Sequence, residues 1–167
     1  MMPNNELELI KELAQATRSW RERALEKNNQ VGLTDLSVRP ESGMSSLGWV
    51  LAHQGAVYDF SLNVLILRKS PSNPSFFQKH LPGTTGEWDG TPLPRIMDYY
   101  DSAEVAFLEW IISATNEDMD RVIGGEDIPP FFRGMTVRRV ISHMFTHLNH
   151  HNGQLDSLRR DWERTHE

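Results

Sequence analysis

From Val137 onward, the apolar residues Val137, Val140, Ile141, Met144, Leu148, Leu155, Leu158 and Trp162 recur mainly three or four residues apart, the spacing of one face of an α-helix. No segment sustains the period-two alternation of a half-buried strand, so the expected fold is all-α. Three further segments share the helical pattern. One runs from about Asn5 to Glu26 with Leu7, Ile10, Leu13, Ala14, Thr17 and Trp20 on its apolar stripe, and Val31-Gly32 ends it. A second, the most apolar, follows Gly43 with Ser45 or Ser46 as N-cap and runs towards Lys69. A third begins between Thr91 and Pro94 and continues through Ile111, with a loop opening at Asn116. Gly124, Gly125, Pro129 and Pro130 break the chain before the last helix, whose N-cap is placed at Thr136 and whose end lies near Trp162. The pattern predicts a four-helix bundle with a long connection, Ser70 to about Pro94, between helices two and three. Its aromatics, Phe76, Phe77 and Trp88, favour a connection packed over the protein.

A chain of 167 residues with 38% hydrophobic content suffices for one buried core, so residues 1–167 are read as a single domain. The net charge of -6 argues against binding a nucleic-acid backbone, which selects clustered Lys and Arg. The chain has no cysteine, which removes disulfides, thiolate ligands and a thiol nucleophile of its own. Its acidic start lacks the features of a signal peptide, and no apolar run approaches the roughly 20 residues that span a bilayer. The expectation is a cytoplasmic protein with no membrane or nucleic-acid partner and with scope to form a homodimer.

Four of the seven histidines lie between His143 and His151, in the run H-M-F-T-H-L-N-H-H-N-G-Q-L. At about 100° per residue, His151 lies roughly 30° and His147 roughly 70° from the centre of the apolar arc, whereas His143 and His150 lie beyond about 100°. The inward pair, one turn apart, can share a metal ion. Catalytic zinc usually takes three protein ligands and keeps an open position, so another helix must contribute. His53, on the most apolar helix, is the best candidate; His80 in the long connection and His166 at the chain end are weaker ones. Asp59, Asp98, Tyr99, Tyr100, Asp101 and Glu104 are candidates to support the site, but spacing does not select among them and most read as solvated.

The run H-L-N-H-H-N-G-Q-L resembles the H-x-x-x-H-x-G-Q signature on the last helix of the DinB-like (DinB/YfiT) metalloprotein superfamily. S-S-L-G-W-V-L-A-H resembles that family's second helix with its single histidine, and G-M-T-V-R-R-V-I-S-H its entry into the last helix. The resemblance implies a metal triad of His53, His147 and His151. Asn152 stands where the family often carries a basic residue, a departure expected to affect the surface more than the metal. His150 is expected to be exposed, and Gly153 to permit close helix packing. Relatives that act as thiol-dependent transferases or isomerases imply a divalent metal ion, zinc or nickel foremost, engaging a low-molecular-weight thiol such as bacillithiol or mycothiol. The expected function is a metal-dependent thiol transferase acting on a small molecule. The alternatives are a metal-dependent hydrolase and a non-catalytic metal- or ligand-binding bundle.

Overall fold

The computed structural model describes Met2, residues 4–40 and residues 43–166. Among these, six α-helices form: α1 (Asn4–Gln30), α2 (Leu47–Asp59), α3 (Pro74–Lys79), α4 (Leu93–Ser113), α5 (Asn116–Asp120) and α6 (Val137–His166). The four long ones are the bundle helices read from the sequence. The two short ones lie where the sequence reads as connection, and each has a local cause. Pro74 starts α3 behind Asn73, whose side chain accepts from Phe76 N, while Thr115 and Asp118 form a reciprocal capping box at α5. No strand forms among the described residues; Val122 and Thr136 make only an isolated antiparallel bridge.

Every residue of α2 is buried, which its all-round apolar sequence requires of a central helix. It packs on α4 and α6, while α1 covers α6. Gly55 is needed at the α2–α4 crossing: a Cβ there would lie 2.7 Å from the Tyr99 ring and 3.2 Å from the Tyr100 Cα. Beyond Asp59 the helix widens into a π-helical segment, Phe60–Ile66, and stops before Leu67. Such segments break the regular 3.6-residue spacing of side chains and recur at functional sites.

On α1 the buried face is Ile10, Ala14, Thr17, Arg21, Ala24 and Asn28. The expected stripe is therefore displaced: Leu13 is 39% and Trp20 55% exposed, while Arg21 is 1% exposed. Ala14, Thr17 and Ala24 are small enough to let helices approach, and inside the bundle Arg21 finds partners for Nε and Nη1 but not for Nη2. Its Nε donates to Gln54 Oε1 at 3.0 Å, and its guanidinium lies 4.0 Å from the centre of the Tyr100 ring. Burial pushes the Arg21 pKa down from its usual value.

The connection between α2 and α4 is packed, as its aromatics suggested, with Phe76 and Phe77 buried. Asp59, 1% exposed, anchors it by accepting from the Ser72 backbone N–H, the Ser72 hydroxyl and the Tyr99 hydroxyl at 3.0, 2.8 and 2.6 Å. Tyr100 and Glu104 are also buried, and Arg18 Nε donates to Glu104 at 2.6 Å. Thus Asp59, Tyr99, Tyr100 and Glu104, expected mainly in solvent, are internal. The polar atoms of Asp59, Tyr99 and Glu104 cross-link elements, a role that sequence spacing does not specify.

Candidate metal centre

Three imidazoles from two helices meet at one point. His53, in the middle of α2, places its Nε2 3.1 Å from His147 Nε2, which lies 2.8 Å from His151 Nε2 on α6. One ligand nitrogen from each of the three lies within 4.8 Å of the others. His53 and His151 are 2% and 5% exposed, and His147 is half-buried. The i, i+4 spacing of the α6 pair and the central position of α2 produce the convergence.

Two hydrogen bonds determine how the rings are protonated. His53 Nδ1 lies 2.5 Å from the His80 backbone carbonyl, and His151 Nδ1 lies 2.6 Å from Gln154 Oε1. Both oxygens can only accept, so both Nδ1 atoms donate and both Nε2 atoms are bare lone pairs in the neutral rings. A proton on His147 Nε2 can be directed at only one of them. At least one lone pair is then left without a donor in a mostly buried cluster, which a cation would relieve. Tetrahedral coordination at 2.0–2.1 Å would separate the nitrogens by about 3.3 Å, a few tenths of an ångström wider than the His53–His147 and His147–His151 separations. The donor set therefore fits a divalent ion. Burial pushes the pKa values of His53 and His147 down to about 4 and that of His151 down to about 3, with neighbouring imidazoles adding to the effect. All three rings are neutral, and competent as ligands, at pH 7.

Trp49, one turn before His53, stacks on its ring at a centroid distance of 4.5 Å and an angle of 12°. Its Nε1 donates to Thr84 Oγ1 at 2.9 Å, tying this wall to the α2–α4 connection. His143 is half-buried against Phe131 and Phe132, and His150 is exposed, as the helical wheel places them. His80 is fully buried and outside the triad. It contributes a backbone carbonyl, for which the sequence carries no signal. Gln154 could have been found, since it stands three residues after His151 and on the same side of the helix. His166 stacks on Trp162 at the far end of α6.

A family model described as the DinB superfamily matches residues 8–155. The chain belongs to the DinB superfamily. Its members are known to bind metals, and the His53, His147 and His151 cluster lies within the matched span. No curated protein matches the chain.

Two expectations drawn from the DinB resemblance need correction. Asn152 is not a surface feature: it is 4% exposed, accepts from Gln54 Nε2 at 2.8 Å and donates to the Thr17 carbonyl at 3.1 Å. Gln54 and Asn152 directly follow His53 and His151 in sequence, so this bond fixes the register of α2 against α6 beside the triad. Through Arg21 and Thr17 the same network reaches α1. Gly153, expected at a close helix contact, is exposed, with nothing within 4 Å of where a Cβ would stand. It lies on the solvent side of α6, adjacent to the buried Asn152.

Proposed function

We propose that this DinB-superfamily protein is a metal-dependent transferase joining a small cofactor thiol to a small electrophilic substrate, with His53, His147 and His151 holding the ion. The observation that carries the reading is the convergence of three neutral imidazole donors at a point bordered by two open cavities, of about 380 and 490 Å³. Three donors leave room for an exogenous ligand, whereas a purely structural ion usually has four protein ligands. When bound, a divalent ion there would lower the pKa of a thiol or water at the remaining position.

The chain's own residues provide the setting. The His80 carbonyl and Gln154 hold His53 and His151 in the tautomer that presents Nε2. Trp49 limits rotation of the His53 ring and covers one face of it. With no cysteine in the sequence, the attacking sulfur comes from a separate molecule. Its thiolate forms the new carbon–sulfur bond as the substrate's leaving group departs with the bonding electrons, and the thiol proton passes to solvent.

Among the described residues, neither cavity is lined by Asp or Glu, so no carboxylate is in place to activate water. A thiol, with an unperturbed pKa near 8.5, needs less help to ionise than water, which favours transfer over the hydrolase reading. Neither cavity is lined by Lys or Arg, which favours a thiol without carboxylates, such as a sugar thiol of the mycothiol kind.

The test is turnover of electrophiles by protein loaded with zinc or nickel, with and without a panel of low-molecular-weight thiols. The transferase reading expects product only when metal and thiol are both present. Turnover with metal and water alone would establish a hydrolase, and inactivity with every thiol despite full metal loading would leave the binding bundle.

A further inference from the structure

The two cavities bordering the triad differ in chemistry. The 490 Å³ cavity lies against Ser45, Trp49, Thr146, His150 and His151 and offers hydroxyls and imidazoles. The 380 Å³ cavity is walled by Val57, Phe60, Leu81, Phe132 and Met144, and His53, His143 and His147 also line it. Among its described lining residues, Ser61 is the one polar side chain that is not an imidazole, and none is Asp, Glu, Lys or Arg.

The aromatic part of this wall comes from two separate parts of the fold. The π-helical widening after α2 contributes Phe60 and Ser61. The Phe60 ring meets Phe132, from the segment before α6, edge to face at 5.5 Å. On its other side it stacks on the buried Phe77 of α3, at 6.0 Å and 24°. Phe60 thereby makes one aromatic contact within the cavity lining and one outside it.

Resting on the proposed function for the group that reaches the triad, we propose that the 380 Å³ cavity receives the body of the substrate, a neutral and mainly apolar molecule. Its volume lies in the range of small-molecule pockets and has room for roughly a dozen water-sized groups. A carboxylate or ammonium would lose its hydration there without meeting an Arg, Lys, Asp or Glu as partner, a cost of several kcal/mol. An aromatic or branched aliphatic body loses nothing comparable and gains contact with Phe60, Phe132 and Met144. Ser61 supplies one hydrogen-bonding position, so a single hydroxyl, carbonyl or ether in that body can be matched. The polar thiol belongs in the other cavity, and the two reactants meet at His53 and His147, which line both.

Benzyl alcohol and benzoate, which differ in charge at similar size, are suitable probes. Their binding is followed by ligand-observed NMR on metal-free and zinc-loaded protein. Benzyl alcohol is expected to bind both forms, with benzoate at least about tenfold weaker to the metal-free form. Filling the cavity by Ser61→Leu or Val57→Phe should weaken benzyl alcohol by about tenfold or more. If either filled variant fails to fold, Phe132→Ala, at the half-buried mouth, should still weaken binding. Ser61→Leu, at a residue outside the triad, should still take up zinc while losing benzyl alcohol. That outcome separates loss of the metal site from loss of the apolar site. Benzoate binding the metal-free protein as tightly as benzyl alcohol, or binding unaffected in all folded cavity variants, would overturn the assignment.

Discussion

Replacing Asn152 with Ala should destabilise the metal-free protein by about 2–4 kcal/mol. The side chain is 4% exposed and bonds to Gln54 on α2, to Thr17 on α1 and, within α6, to Asn149. Truncation leaves the Thr17 carbonyl without this donor and Gln54 Nε2 with only a long 3.4 Å contact to the Leu148 carbonyl. A hydrogen bond is worth about 1 kcal/mol net, and stranding a buried polar group costs about 1–3 kcal/mol, which together give the stated range. Gln54→Ala should cost more, because it also removes the acceptor for the buried Arg21 Nε. Urea denaturation at pH 7 measures both, and zinc titration of the folded variants measures the effect on the site. A zinc affinity lowered by about 10–100-fold in Asn152→Ala is expected if the register of α2 and α6 aligns the ligands, a magnitude typical of lost supporting contacts. A stability change below about 1 kcal/mol together with parental zinc affinity would refute the reasoning.

Metal analysis of the purified protein should give about one divalent ion per chain. His53→Ala, His147→Ala and His151→Ala should each lose most of it, while His143→Ala should retain it; full occupancy in His147→Ala would contradict the triad. Acid should weaken the metal-free protein between about pH 6.5 and 4. The folded pKa of His53, pushed down to about 4 by burial, lies below its unfolded value, so the unfolded chain takes up the proton first. For His53 alone this amounts to about 3 kcal/mol over that window, and a flat urea midpoint from pH 7 to 5 would oppose it. Because the folded ligands remain neutral, zinc affinity measured on folded protein should hold to about pH 5; a decline centred on pH 6.5 would show that the rings are not shielded. Gly153→Ala, on an exposed helical position with open space around it, should stabilise the protein by about 0.5–1 kcal/mol in thermal or urea unfolding; a destabilised variant would show that Gly153 has a contact or conformational role.

The sequence by itself determined the helical class, the four long helices and the inward pair on the last of them, because these follow from the period of a helix and from where apolar residues fall on it. It also singled out His53, since an imidazole on an otherwise apolar helix stands out whatever surrounds it. Boundaries set by local chemistry, such as Thr136 at the start of α6, were legible for the same reason. Whatever depends on which helix faces which was decided only in three dimensions. The apolar stripe of α1 misled because burial follows fit: Trp20 is left outside while Arg21 goes in beside Gln54 and Tyr100. Asn152 reads as a surface polar residue until Gln54 and Thr17, distant in sequence, are placed against it. The acceptor that fixes the His53 tautomer is a backbone carbonyl at His80, and every residue type carries one. Helical periodicity is a property of neighbouring positions and is written along the chain, whereas register, tautomer and cavity shape arise from contacts between distant segments and exist only once those segments pack.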